Sequence, residues 1–130
     1  MDKKIITAFA GAINEHSIDK IYSLMTDDHK FIDAHGKEIV GKDTMKTNWM
    51  SYFEWFPDYK IEITDIFAND DTLAAFGFAS GTFKRKQTDN KENHWLLPAA
   101  WKVIVENNKI KLWQVYTDTK IPFDIIEKNK

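Results

Sequence analysis

The chain contains no cysteine, one arginine (Arg85), three prolines and five glycines in 130 residues. Without thiols there are no disulfides, no thiolate nucleophile and no cysteine zinc site. The formal charge of −2 supplies no basic face of the kind nucleic-acid binding needs. The sole basic run, Lys84-Arg85-Lys86, sits among polar residues and reads as a solvated turn. No apolar run approaches the roughly 20 residues that span a membrane. The start, M-D-K-K-I-I-T, has neither a long apolar stretch nor a small-residue cleavage site, so no signal peptide is expected. The expectation is a cytoplasmic protein that binds neither membrane nor nucleic acid.

Aromatic residues are plentiful: five Trp, nine Phe and four Tyr, enough to line a core or a cavity with rings. Apolar residues make up 43% and charged residues 29%, which is ordinary for one globular domain, and the length fits a single core over residues 1–130. Residues 2–15 read as a helix through Ile5, Ile6, Phe9 and Ile13. Ser17 is placed to cap a second, shorter helix carrying Ile21 and Met25. Asp43 reads as the cap of a third, whose Met45, Trp49, Tyr52, Phe53 and Phe56 form one stripe ended by Pro57. The period then changes to that of strands at 59–67, 72–84, 94–106 and 109–118. Gly77 and Gly81 lie opposite Phe76 and Phe78, which suggests a bend. Pro122 suits the first turn of a terminal helix. Helices first and a curved antiparallel meander after them imply an α+β domain with its helices on one sheet face.

The stretch from Met25 to Gly41, M-T-D-D-H-K-F-I-D-A-H-G-K-E-I-V-G, organises the chain. Read as a strand from Phe31 to His35 with a short return strand at 38–40, it sets Phe31, Asp33 and His35 on one face. If that face is inward, Asp33 is an acid among rings; if outward, both polar residues are ordinary surface groups.

The element order and the run M-T-D-D-H-K-F-I-D-A-H-G…G-K-D-T-M…Y-F resemble the SnoaL-like polyketide-cyclase branch of the nuclear transport factor 2-like superfamily. The resemblance covers nearly the whole chain. It implies a cone-shaped α+β fold in which a curved, mostly antiparallel sheet wraps the helices around a pocket. It also implies a homodimer through the sheet's outer face, for which Leu96, Ala100, Ile104, Trp113 and Val115 are candidates. Asp33 matches the general base of ketosteroid isomerase. That enzyme's two oxyanion donors, however, fall on Phe9 and on Ala100 or Trp101, so steroid isomerisation is not expected. Asp118 matches the second aspartate of limonene epoxide hydrolase, whose Arg-x-Asp pair is absent from this chain.

The resemblance thus implies Asp33, His35 and Asp118 as catalytic candidates. Phe9, Trp49, Tyr52, Phe53, Phe76, Phe78, Trp95, Trp101, Gln114 and Tyr116 are implied as pocket residues. A buried acid is a better proton acceptor than one in water, which would suit proton transfer beside a carbonyl. The alternative for Asp33 is a structural carboxylate accepting backbone N–H bonds at the turn, and for Asp118 a cap on the turn that follows. His94 and Trp95 are rim candidates. No phosphate loop, nucleophile elbow or dinucleotide fingerprint occurs, so no cofactor is expected; Asp33, His35 and His94 lack the close His-x-His type of spacing, so no metal is expected either. Two functions stand side by side. One is a lyase, isomerase or cyclase acting on an apolar carbonyl compound; the other is a non-catalytic binder of a small apolar or aromatic ligand. A dimeric assembly module without chemistry is the third.

Overall fold

A computed structural model describes residues 2–84 and 91–129. Arg85 and Lys86 of the basic run lie outside the described residues, as does the loop at 87–90. Lys84 is exposed, and its backbone N–H donates to the Trp55 carbonyl at 2.9 Å.

Three helices come early: α1 (Asp2–Asn14), α2 (Ile18–Ser23) and α3 (Lys42–Trp55). Ser17 caps α2 by accepting a hydrogen bond from the Lys20 N–H. Asp43 does not cap α3, which starts from Gly41 without a side-chain cap. Instead Asp43 accepts a 2.6 Å bond from the Tyr22 hydroxyl, tying α2 to α3. One sheet of six strands follows the order β2-β1-β6-β5-β4-β3. The strands are β1 (Met25–Ile32), β2 (Glu38–Val40), β3 (Lys60–Asn69), β4 (Thr72–Thr82), β5 (His94–Glu106) and β6 (Lys109–Tyr116). Every neighbouring pair is antiparallel except β1 with β6. The fold is therefore α+β, with the helices in the concave face of a curved, unclosed sheet. The chain ends in α4 (Lys120–Lys128), which has Pro122 in its first turn.

Three irregularities set which side chains face inward. Between β1 and β6 the register runs from Met25↔Ile110 directly to Lys30↔Leu112, so residues 26–29 bulge out of the ladder. The first strand therefore starts at Met25, earlier than the alternation at Phe31 implies, and it ends before Asp33. In β6 the pairs Val105↔Ile110 and Ile104↔Leu112 leave Lys111 as an extra residue, which brings Ile110 and Trp113 to the same face. In β3 a bulge at Thr64 falls opposite Phe76 and Gly77. Gly77 has a steric reason: a Cβ there would lie 1.7 Å from the Glu62 carbonyl oxygen.

The core gathers Ile6, Phe9 and Ile13 of α1 beneath Trp101, Val103 and Trp113 of the sheet. His29 is fully buried with them. Its Nδ1 is hydrogen-bonded to the Ile110 carbonyl at 2.8 Å, while Nε2 has no partner among the described residues. Burial holds this imidazole below its ordinary pKa. At the sheet's outer edge, the Asn14 amide donates to the Ile61 carbonyl and accepts from the Ile61 N–H, at 2.9 and 2.8 Å.

Candidate functional site

The concave side is not filled by the core. A cavity of about 380 Å3 opens between α3, the sheet and α4. Because α3 turns once in 3.6 residues, Met45, Trp49 and Tyr52 share its inner flank, and Trp55 stands at the outer end, all four lining the cavity. After Pro57 ends the helix, Phe56 and Tyr59 continue the wall. On β5 the alternation of side chains brings Trp95, Leu97 and Trp101 to the cavity, and β6 adds Trp113 and Val115. On β4 the inward positions carry small residues: Ala75, Gly77, Ala79 and Gly81 are all buried. At Gly81 a Cβ would come within 3.2 Å of the Trp95 ring and 3.3 Å of Phe56, so both pack directly on its backbone. Of the four small residues, Ala79 lines the cavity, between the rings of β5 and α3.

The polar groups sit at the mouth. Asp33 lies past the end of β1, in a turn that Gly36 permits by its φ of +85°. The Asp33 carboxylate accepts the backbone N–H groups of His35 and Lys37 at 2.8 and 2.9 Å, both on Oδ1. This is the structural role weighed from sequence, and it coexists with a place in the cavity lining. Both bonds leave Oδ2 with no donor among the described residues. His35 is exposed; its Nε2 is hydrogen-bonded to Thr119 Oγ1 at 2.8 Å, and its ring stacks on Phe123 of α4 at 5.3 Å. The turn after β1 is thereby tied to α4, whose Pro122, Phe123 and Ile126 close that side of the cavity.

Deeper in, Tyr52 and Tyr59 meet edge to face at 4.8 Å, and burial pushes the pKa of both phenols up. They stay protonated and neutral. The indole Nε1 atoms of Trp49 and Trp95 are buried without a hydrogen-bond partner among the described residues, so the surface these rings offer the cavity is carbon.

Of the residues expected from sequence, Asp33, His35, Trp49, Tyr52, Trp95 and Trp101 converge on the cavity. Five others face away. Phe76 and Phe78 are 44% and 40% exposed on the convex side, because the small residues of β4 take the inner positions. Gln114, Tyr116 and Asp118 also point outward, because Trp113, Val115 and Thr117 occupy the inner phase of that segment. Asp118 instead accepts the Lys120 N–H at 2.9 Å at the start of α4. Phe9 is sealed in the core against Trp113. Phe53 stacks on His16 at 3.9 Å, behind the cavity wall. His94 is hydrogen-bonded to Thr82 Oγ1 at 2.8 Å and stands near Asp58, outside the lining. Phe31, Tyr59, Val115, Thr117, Thr119 and Phe123 line the cavity without having been singled out for it. The alternation Trp113-Val115-Thr117 was the signal for two of them. Among the described residues no three His, Asp or Glu side chains gather as a metal site, and no helix is long and apolar enough to cross a membrane.

Helices in the concave face of a curved six-stranded sheet, with a cavity at the open end, define the nuclear transport factor 2-like fold. The sequence model of the SnoaL-like domain matches residues 6–113, and the chain belongs to that family. No curated protein matches it significantly in sequence. Among solved structures, it is similar to a candidate SnoaL-like polyketide cyclase from Shewanella putrefaciens, with a TM-score of 0.82 and 13% identity over 98% of this chain and 96% of that one. An LEH-like epoxide hydrolase of M. tuberculosis superposes with a TM-score of 0.78 and 15% identity, covering 97% and 89% of the two chains. A protein of ketosteroid isomerase-like fold from Catenulispora acidiphila, solved in complex with trimethylamine, gives 0.75 and 19% over 86% and 83%. At these identities the likeness speaks to the fold alone.

Proposed function

We propose that this SnoaL-like domain binds a small apolar or aromatic molecule in the cavity between α3, the sheet and α4. The observation that carries the reading is a space of about 380 Å3 walled by rings and left unfilled by the core. Interiors normally pack with few voids larger than a water molecule, and a cavity of this size and lining suits a small-molecule site. Bringing a guest's apolar surface out of water contributes roughly 25 cal/mol per Å2. That a protein of like fold was captured with trimethylamine supports a small organic guest. The test is Trp fluorescence titrated with aromatic and polyketide-like compounds, together with thermal unfolding. The expected result is saturable quenching and a raised melting temperature for at least one compound. Silence in both readouts across the panel overturns the reading.

A second reading is acid–base chemistry on a carbonyl compound, as in a lyase, isomerase or cyclase. It is favoured by Asp33, a half-buried carboxylate in the lining that receives both of its protein hydrogen bonds on Oδ1. Oδ2 is then the oxygen that takes or returns a proton, with His35 at the same mouth. Asp33→Asn keeps an oxygen for the turn but cannot shuttle a proton. Turnover of an identified substrate should fall on the order of a hundredfold or more with binding retained; unchanged turnover ends this reading.

Self-association through the convex face is the partner proposed. Phe67, Phe76, Phe78, Leu96 and Tyr116 are exposed there, and Phe67 and Phe76 already pack edge to face at 6.0 Å. Trp113 and Val115 face the interior and take no part. Sedimentation should find a dimer at micromolar concentration, and a monomer there retires the idea.

A further inference from the structure

The charge pattern of the cavity lining narrows the chemistry of the guest. The chain holds 18 Lys and Arg residues, yet none lines the cavity among the described residues. One carboxylate does: Asp33. It is half-buried and no cationic side chain forms an ion pair with it among the described residues, although six lysine–carboxylate pairs are made elsewhere on the surface. An anionic guest would add a second negative charge to the same space, whereas a cationic one would supply the counter-charge that the two backbone N–H bonds on Oδ1 do not.

The rings point the same way. Trp49, Tyr52, Tyr59, Trp95 and Trp101 come from three parts of the chain and line one cavity. Aromatic rings are negative on their faces and positive at their edges. The positive N–H edges of Trp49 and Trp95 are buried away from open space, and both phenols are held neutral and protonated by burial. What remains toward the guest is mostly ring surface, with Asp33 as the lining's carboxylate and His35, Asn48, Ser51, Thr117 and Thr119 as further polar side chains; ring faces beside a carboxylate attract weakly hydrated organic cations.

We infer that the cavity takes an organic ammonium ion, its carbon-bearing head among the rings and Asp33 as its counter-charge; this rests on the cavity being a small-molecule site at all. Phenyltrimethylammonium and its uncharged carbon isostere, tert-butylbenzene, test it by calorimetric titration of the intact chain. They have nearly the same shape and differ in charge. The expected result is that the cation binds at least about tenfold more tightly than the hydrocarbon. Asp33→Asn, which retains an acceptor for the turn, should reduce that preference severalfold. If the hydrocarbon binds as tightly as the cation or more tightly, the inference is overturned while the cavity reading stands. Retention of the full preference in Asp33→Asn overturns the role of the carboxylate. If neither compound binds saturably, the inference falls together with the reading beneath it.

Discussion

On the concave face of the sheet Trp95, Trp101 and Trp113 are exposed by 6% or less, whereas on the convex face Phe67, Phe76, Phe78 and Leu96 keep between 40% and 63% of their surface in water. Both faces are rich in large apolar residues. They differ in what covers those residues: side chains of α1 and α3 pack with the concave face, while the convex residues stay in water. Inside, the big rings of β5 are opposite Gly81, Ala79, Ala75 and their neighbours on β4, through the pairs Gly81↔Trp95, Ala79↔Leu97 and Ala75↔Trp101. Outside, Phe78 and Phe76 of β4 meet Pro98 and Ala100 of β5. Large residues meet small ones on both faces, but only on the concave face do α3 and α4 enclose a space above them. An abundance of rings does not by itself mark a site; the space enclosed between them and the helices does.

The sharpest way to break this contrast is to fill a small position on the inside. Gly77→Ala sets a methyl group within 1.7 Å of the Glu62 carbonyl oxygen, so β3 and β4 must separate there. The expected cost is about 4 kcal/mol or more, read from the urea midpoint, and an unchanged midpoint would contradict the close apposition. Next comes emptying a large inner position. Trp101→Ala should cost about 3–5 kcal/mol in the same measurement.

A smaller effect is set by pH. Because burial lowers the His29 pKa in the folded chain, the unfolded chain takes up a proton that the folded chain refuses. Stability is therefore whole above about pH 6.5, the ordinary histidine value, and is lost as pH falls below it, by up to about 1.4 kcal/mol per unit. Urea midpoints from pH 7.5 to 5.5 should show that slope, and His29→Leu should flatten it whatever its effect on absolute stability. The smallest effect belongs to the outside: Phe78→Ala should move monomer stability by no more than about 0.5 kcal/mol. A cost matching that of Trp101→Ala would erase the distinction between the faces.

Much of this contrast was readable from the chain itself. The spacing of Met45, Trp49 and Tyr52 located the inner flank of α3, and strict alternation from Trp95 to Val105 placed β5 with its boundaries and inward face. The two-residue turn Asn107-Asn108, both at positive φ, is likewise a local signal. What was not legible depends on phase. Alternation says that two faces exist and is silent about which is inside, and Phe76, Phe78, Gln114 and Tyr116, expected in the pocket, stand on the outer one. Bulges compound this. The extra residue at Lys111 and the excursion of residues 26–29 shift the phase by an amount that only the partner strand fixes. Asp33 and His35 reached the cavity by a different route from the one their spacing suggested, through a turn built on the Asp33 carboxylate rather than as successive inward positions of a strand.

The paired bonds between the Asn14 amide and Ile61 have a consequence for the behaviour of the chain in a crowded solution. β3 is the outermost long strand, and a bare margin of that kind invites a stranger's backbone to dock and extend the ladder. The amide of Asn14 mimics one rung of such a neighbour and occupies the place where recruitment would start. By a single side chain, α1 closes one rung of the edge at which another strand would begin to pair.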